Sequence, residues 1–471
     1  MENKKPEHDE SFRDSIATID KEGKRVWIYA QKPKGKLYNL RSIASVFYLI
    51  IFFSIPFIKI NGVPLFMFNI LQGKFVLFTM IFWPHDFFLF GLGMMIFILF
   101  VALFTVVFGR IFCGWACPQT IFMEMVFRKI EYWIEGDANH QRTLNNGPWN
   151  KEKIIKKVSK NSIFFIISFI IANTFLSYLI GVDKLFDIIN DPMKDHLGGL
   201  ISILLFTGVF YGVYVRFREQ VCLVVCPYGR LQSVLLDKNS VVVAYDYVRG
   251  ETRGKFHKNE KREIGDCIDC HQCVKVCPTG IDIRNGTQLE CVNCTACIDV
   301  CNHMMDSVGL EKGLIRYSSE NGIANNQKLR FTGRMIAYSI VLTVLIGIEV
   351  FLLASRSDVD ATIIRTRGML YQEQPDNKIS NLYNIELENK TYRDIPINLK
   401  LEDTNGEIKL IGKDLKVKAE SQSAGEFFVI LDKSTITKRK TDIKIGLYSN
   451  GEKMKVIKVS FLSPVSRTRK K

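Results

Sequence analysis

The chain has 471 residues, of which 47% are apolar, 34 are Phe and 24% are charged, with a formal net charge of +15. One soluble core would not hold so many aromatic and basic residues together. Segregation into apolar spans and basic connections accounts for both, and the spread of the basic residues along loops that flank spans excludes a nucleic-acid footprint.

Residues 1–41 form a polar tail with no apolar h-region, so no cleavable signal peptide is expected and targeting falls to the first span. Five stretches are long and apolar enough to cross a bilayer: 42–58, 87–109, 162–182, 197–215 and 335–354. Pro56 lies near the end of the first, where a membrane helix tolerates it. The run 75–83 is too short to cross and is expected to be interfacial or re-entrant.

Lys and Arg alternate along the connections. Ten lie in the tail through Arg41, one in 61–85 (Lys74), nine in 109–161 and two in 183–195. This places the N-terminus, the second connection and residues 216–334 in the cytoplasm, and five spans then leave the C-terminal region outside, in the periplasm. All 12 cysteines lie between Cys113 and Cys301, on or near the reducing side.

An internal repeat follows the second and fourth spans. Phe108-Gly-Arg-Ile-Phe-Cys113-Gly-Trp-Ala-Cys117-Pro118 matches Phe217-Arg-Glu-Gln-Val-Cys222-Leu-Val-Val-Cys226-Pro227. After the first copy, Ile121, Phe122, Met125, Val126, Ile130 and Trp133 recur at helical spacing opposite Glu124, Arg128 and Glu131. The pattern predicts an amphipathic helix on the inner membrane face. Cysteines four apart on a helix share a face, so each pair presents two sulfurs together. Four soft thiolates suit Cu(I) or zinc. A redox dithiol and simple helix-end packing are the other readings.

The strongest signal is Cys267-x2-Cys270-x2-Cys273-x3-Cys277-Pro278 followed by Cys291-x2-Cys294-x2-Cys297-x3-Cys301, with Asn302 where Pro is usual. Three closely spaced thiolates hold one 4Fe–4S cubane and the fourth reaches across to another. Cys267, Cys270, Cys273 and Cys301 are therefore assigned to one cluster, and Cys277, Cys291, Cys294 and Cys297 to the second. Zinc motifs rarely combine three thiolates at x2 spacing with a fourth at x3. His271, His303, Met304 and Met305 are expected to pack or hydrogen-bond locally rather than ligate. His85 is expected at the interface, with a quinone headgroup as the alternative, and Glu349 near the outer end of the last span.

From about Asn381 the apolar period falls to two, as in Ile397-Asn-Leu-Lys-Leu401 and Ile443-Lys-Ile-Gly-Leu447, and Asn450-Gly451 marks a two-residue hairpin. About seven such strands predict an immunoglobulin-like sandwich. The expected whole is a multi-domain membrane protein: a cytoplasmic tail (1–41), a four-span α-helical region carrying both Cys-x3-Cys-Pro motifs (42–230), a cytoplasmic two-cluster ferredoxin domain of bacterial type (231–333), a fifth span (334–355) and a periplasmic immunoglobulin-like β-sandwich (356–471).

The runs Phe82-Trp-Pro-His-Asp86, Gly109-Arg-Ile-Phe-Cys-Gly-Trp-Ala-Cys-Pro-Gln-Thr120 and Glu219-Gln-Val-Cys-Leu-Val-Val-Cys-Pro-Tyr228 come in order with Tyr245-Asp-Tyr-Val-Arg-Gly-Glu-Thr-Arg-Gly254, Cys277-Pro-Thr-Gly-Ile-Asp-Ile-Arg-Asn-Gly286 and Gly313-Leu-Ile-Arg-Tyr317. Together they resemble the cytochrome oxidase accessory family known as CcoG, FixG or RdxA. His85 stands where that family is expected to have Gln. The resemblance implies an oxidoreductase, a cupric reductase serving assembly of the C-type (cbb) haem–copper oxidase. Cys113, Cys117, Cys222 and Cys226 would then hold copper, and the ferredoxin cysteines would relay electrons. The implied partners are the membrane, a copper chaperone or C-type cytochrome oxidase assembly factors, an electron donor the sequence does not identify, and a second copy in a homodimer. Membrane polyferredoxins of nitrate and nitrous-oxide respiration are similar in motifs, so a quinol-linked conduit is the competing function and an assembly scaffold a third.

Overall fold

The computed structural model describes residues 17–464 apart from Lys21, Asn61, 71–72, Thr79, 83–85, 191–196, 258–262, 328–331, Arg367, Asp376, Tyr392, 413–414, Glu420 and Thr437. The chain forms two compact units, one from Met1–Ile58, Met67–Ile70 and Gly91–Gly347, the other from Lys59–Phe66, Leu71–Phe90 and Ile348–Lys471. His85 falls outside the described residues.

Five helices are long and apolar enough to cross a membrane: Lys36–Phe57, Phe87–Phe108, Lys151–Ile180, Leu197–Phe217 and Gly333–Ala354. The third starts well before residue 162. Hydropathy marks where charge stops, but a helix continues wherever its charges find partners. Here the Asn150 side chain caps Lys153 N at 2.8 Å, and Lys156, Lys157 and Lys160 pair with Glu152 (2.6 Å), Glu135 (2.8 Å) and Glu135 (3.0 Å).

In the first unit the second span ends at Gly109, whose φ of +56° favours glycine, and Val241 N donates to Val107 O at 3.0 Å just before it. The chain thus passes directly from span to cysteine-rich region. A two-stranded antiparallel sheet, Val242–Tyr245 with Ile315–Ser318, and the helix Ala296–Val308 frame that region.

After the first Cys-x3-Cys-Pro motif the helix is present but its phase differs from the amphipathic expectation. Ile121–Phe127 is a π-helix that continues as an α-helix over Arg128–Ile134. The wider coil shifts the face that a 3.6-residue period assigns. Arg128 and Glu131 are each 3% exposed, whereas Trp133 is 79% exposed. Ile121, Phe122 and Met125 are buried as well, and Arg128 and Glu131 join them inward because they meet opposite charge: Arg218 donates to both Glu131 oxygens at 2.9 and 2.7 Å, and Arg128 pairs with Glu124 at 2.9 Å.

In the second unit the run 75–83 proves to be part of a β-hairpin, Lys74–Leu77 against Met80–Phe82, with Val76 and Ile81 buried. Branched and aromatic side chains on alternate faces favour the strand over an interfacial piece. The C-terminal part is a sandwich. One sheet has the order Gly406–Ile411, Gln422–Asp432, Lys378–Asn389, Val359–Arg365, with Gln372–Gln374 also on the third of these, and the facing sheet has Asn398–Leu401, Lys440–Ser449, Glu452–Leu462. Strand structure therefore starts at Val359, before the alternation that was legible from Asn381. Tyr383, Ile385, Leu387, Phe427 and Val429 meet Ile443, Ile445, Leu447 and Phe461 in a core with none of these exposed. Tyr383 stacks on Phe427 at 5.6 Å and its hydroxyl donates to Ser460 O in the facing sheet at 3.0 Å. Asn450 and Gly451 have φ of +49° and +88°, as a tight I′ turn demands.

Asp86, 8% exposed, binds Lys390 at 2.6 Å and also pairs with Arg356. Removing one partner from a buried ionic group leaves uncompensated charge, which costs about 3 kcal/mol. Asp86→Ala is expected to lower the calorimetric unfolding temperature of the detergent-solubilised chain clearly, whereas Tyr383→Phe, which loses one neutral hydrogen bond worth about 1 kcal/mol, lowers it less.

Candidate metal centres

Each ferredoxin-type run repeats one local conformation. Asp269 and His271 flank Cys270 with φ of +53° and +54°, and Asn293 and Thr295 flank Cys294 with φ of +53° and +66°. Asp and Asn enter this left-handed region more readily than other non-glycine residues. The turns curl three thiols of each run around a common space.

The two spaces are separate cavities. One is lined by Cys267, Cys270, Cys273 and Cys301 together with Tyr245, Met304 and Met305. The other is lined by Cys277, Cys291, Cys294 and Cys297, with Cys273 between the two and Ile281 and Ile283 on its wall. Each run thus contributes its last cysteine to the cavity of the other. Among the described residues no group of three or more ligating side chains closes on a single ion. The donors surround a space, which suits a cubane.

Burial pushes the thiols of Cys273, Cys291 and Cys301 up to about 12 and that of Cys294 up to about 11, and raises Cys297 well above its ordinary value. Arg110 opposes this rise at Cys291 and Arg41 at Cys294. Thiols so reluctant to ionise alone fit sites where metal replaces the proton.

Asn302 does more than stand in for proline. After Cys277, Pro278 ends the helical turn, but after Cys301 the helix runs on to Val308, and the Asn302 carboxamide accepts from Gly313 N at 2.9 Å. His271 faces outward, its ring against Asp269 at 3.3 Å and Arg284 at 2.8 Å.

The two Cys-x3-Cys-Pro motifs are brought together. Cys117 and Cys226 share an extended conformation, with φ/ψ of −65°/125° and −70°/112°, and each is followed by a proline at the first position of a helix. Cys222 lies in a second π-helical stretch, Val221–Val225. The Gln232 amide, beyond the second motif, donates to Cys113 Sγ in the first at 3.3 Å. Gln119 returns a bond to Arg218 O at 3.4 Å, and Thr105 and Tyr228 hydroxyls meet at 2.7 Å. Cys113 has Cys117 and Cys226 as electrostatic neighbours, and Cys222 has all three other cysteines. Burial pushes Cys113 up to about 11 and Cys222 up to about 12.

A helical membrane domain joined to two interleaved four-cysteine cages defines a membrane 4Fe–4S electron-transfer protein. Residues 217–320 match the family described as 4Fe-4S dicluster domain, 90–136 that described as 4Fe-4S binding domain, and 350–464 that described as IG-like fold at C-terminal of FixG. The chain is 32% identical to Protein RdxB of Cereibacter sphaeroides over 78% of this chain and 80% of that one, and 33% identical to Protein RdxA of the same organism over 72% and 73%. Nitrogen fixation protein FixG of Rhizobium meliloti is 33% identical over 66% of this chain and 60% of its own. A crystal structure of a FixG-related protein from Vibrio parahaemolyticus aligns with 23% of this chain and 100% of its own at 18% identity and a TM-score of 0.20. The chain belongs to the FixG/RdxA family.

Sequence reasoning did not single out Gln232, Arg41, Arg110 or the Trp115–Tyr317 hydrogen bond (3.1 Å). Of these only Arg110 carried a local signal, its place three residues before Cys113. Asn302→Pro, which would restore the commoner residue, is expected to interrupt Ala296–Val308 at a cost of about 3 kcal/mol and to lower the iron bound per chain, measured by anaerobic iron analysis against wild type.

Proposed function

We propose that this chain reduces Cu(II) to Cu(I) at the thiols of Cys113, Cys117, Cys222 and Cys226, for assembly of a C-type (cbb) haem–copper oxidase. Copper is the substrate. Each ion takes one electron, supplied ultimately by a one-electron reductant such as a reduced flavoprotein. When bound, the two clusters accept and release single electrons between that reductant and the thiols. The cage assignment follows the cavities: Cys267, Cys270, Cys273 and Cys301 for one cluster, Cys277, Cys291, Cys294 and Cys297 for the other.

The observation that carries the copper reading is that the two thiol-bearing motifs are joined: Gln232, beyond the second, bonds Cys113 of the first, and Gln119, beyond Cys117, bonds Arg218 O just before the second. Soft sulfur donors bind Cu(I) better than Cu(II), which favours the reduction itself. The Lys/Arg alternation supports a cytoplasmic position for these thiols and the ferredoxin region, and a periplasmic one for the sandwich. A copper chaperone or an oxidase assembly factor would receive the product.

One observation favours a second reading. The 90–136 match, described as 4Fe-4S binding, spans Cys113 and Cys117, so the four thiols could instead ligate a further cluster. Iron analysis separates the two, at about eight irons per chain against about twelve, given four per cubane.

The test uses anaerobic, iron-loaded protein reduced with dithionite and freed of excess reductant. On mixing with Cu(II), wild type should yield trapped Cu(I) in step with the electrons it stored. The Cys113→Ala/Cys222→Ala double variant should lose at least tenfold in rate at unchanged iron content. Equal rates in the two proteins, or no Cu(I) from wild type, would end the copper reading.

A further inference from the structure

The two cages differ in what surrounds them. The backbone of the first Cys-x3-Cys-Pro motif lies against the run between Cys291 and Cys294. A Cβ on Gly114 would stand 2.5 Å from Val292 O and 2.8 Å from Asn293 O. Arg41 Nε donates to Gly114 O at 2.6 Å, and Arg110 donates to Leu289 O and, at 2.5 Å, to Gly229 O. Trp115, between Cys113 and Cys117, donates to the Tyr317 hydroxyl at 3.1 Å, which in turn reaches Asn293 O at 3.4 Å. The Gly114, Arg110–Leu289 and Trp115–Tyr317–Asn293 contacts link the first thiol motif to the second ferredoxin run or its flank, while Arg41 ties that motif to the first span and Arg110 ties it to the second motif.

Charge follows the same division. Arg41 and Arg110 are 4% and 5% exposed, and neither has an ion-pair partner among the described residues. Arg41 Nη2 and Arg110 Nε are buried without a hydrogen-bond acceptor. The acids on this side are engaged elsewhere: Glu124 with Arg128 at 2.9 Å, and Asp299 with Leu37 N and Tyr38 N at 3.2 and 2.8 Å. Glu290, next to Cys291, is buried. Around the other cage each arginine is matched by carboxylate. Arg284 binds Asp282 at 2.6 Å and Asp269 at 2.5 Å, Arg249 binds Asp266 at 2.5 Å, and Arg253 binds Glu251 at 2.7 Å. That cage is also the more open, with the side chains of Asp269 and His271 42% and 55% exposed.

We propose that Arg41 and Arg110 hold the Cys277/Cys291/Cys294/Cys297 site at the higher reduction potential of the two, making it the outlet toward the Cys-x3-Cys-Pro thiols, and that the Cys267/Cys270/Cys273/Cys301 site is the inlet for the reductant. Four thiolates make either site anionic, and reduction adds one more negative charge. Unmatched buried cations stabilise that charge, and cations already neutralised by carboxylates do so much less. The inference rests on the reading that the clusters deliver electrons to these thiols.

The experiment is a redox titration of the full-length, iron-loaded chain in detergent, followed by electron paramagnetic resonance. Wild type should show two separated one-electron midpoints. Arg41→Gln and Arg110→Gln should each lower the upper midpoint and leave the lower one in place, and together change its reduced-to-oxidised ratio at least tenfold, about 59 mV for one electron. Asp282→Asn combined with Asp269→Asn, which removes both carboxylate partners of Arg284, should raise the lower midpoint and narrow the gap. It covers the case in which the Gln variants bind too little iron, with Arg41→Lys and Arg110→Lys then expected to keep the upper midpoint. Coincident midpoints in wild type, equal movement of both, or no movement in any variant would overturn the proposal. A normal titration alongside failed Cu(II) reduction would overturn only the copper reading.

Discussion

At Gly114 two stretches of backbone approach more closely than any side chain would allow, and the first unit is organised around that approach. The first span supplies the strut that holds it. Leu37 and Tyr38, at the start of that helix, donate their free N–H groups to Asp299 on the helix that carries Cys297 and Cys301. One turn further on, Arg41 reaches the Gly114 carbonyl. Positions 37 and 41 lie on one helix face, so a single turn grips both the cluster helix and the thiol loop. The free N–H groups of a helix start are favourable sites for a carboxylate, which explains why Asp299 is tolerated at 8% exposure.

Buried charge in this protein is handled in two ways. Where the π-helical end of the fourth span, Val213–Phe217, meets the helix after the first motif, Arg218, Glu131, Arg128, Glu124 and Lys160 pair with one another, and Trp27 packs between Arg25 and Arg218 at 4.5 and 4.9 Å from their guanidinium carbons. That network sets charge against charge, although Arg128 Nη2 and Arg218 Nε are buried without a hydrogen-bond acceptor. Arg41 and Arg110 instead bond to carbonyls, which satisfy donors without cancelling charge. Such a cation is costly in a dry interior unless an anion stands nearby, and the neighbouring four-cysteine cage is an anionic group beside both.

The parts of this architecture legible in the sequence are those fixed by short-range geometry. The cysteine runs specify their own turns, so Asp269, His271, Asn293 and Thr295 repeat one backbone conformation regardless of the rest. Apolar spans are similarly self-evident, and the alternation from Asn381 onward marks strands because one face must be dry. What the sequence did not disclose depends on partners far along the chain. Arg41 and Gly114, or Trp115 and Tyr317, are brought together only by the fold. The inward turn of Arg128 and Glu131 escaped a 3.6-residue reading because the preceding coil is wider and because charge complementarity with Arg218 outweighs the ordinary preference for apolar burial.

The dipeptide Cys-Pro occurs three times here, and its meaning is set by what precedes it. At Cys277-Pro278 it follows a short helical turn, and the proline, lacking an N–H, stops that turn and sends Cys277 toward the cavity of the second run. At Cys117-Pro118 and Cys226-Pro227 it opens a helix, where the missing N–H is no loss and the fixed φ is already helical. The cysteine then occupies the position just before a helix, toward which the N-terminal dipole is positive. Cys113 and Cys222, one turn earlier, are held by burial well above the ordinary thiol value. The first of these motifs lies beside the backbone of the second ferredoxin run, where Gly114 meets Val292 O and Asn293 O.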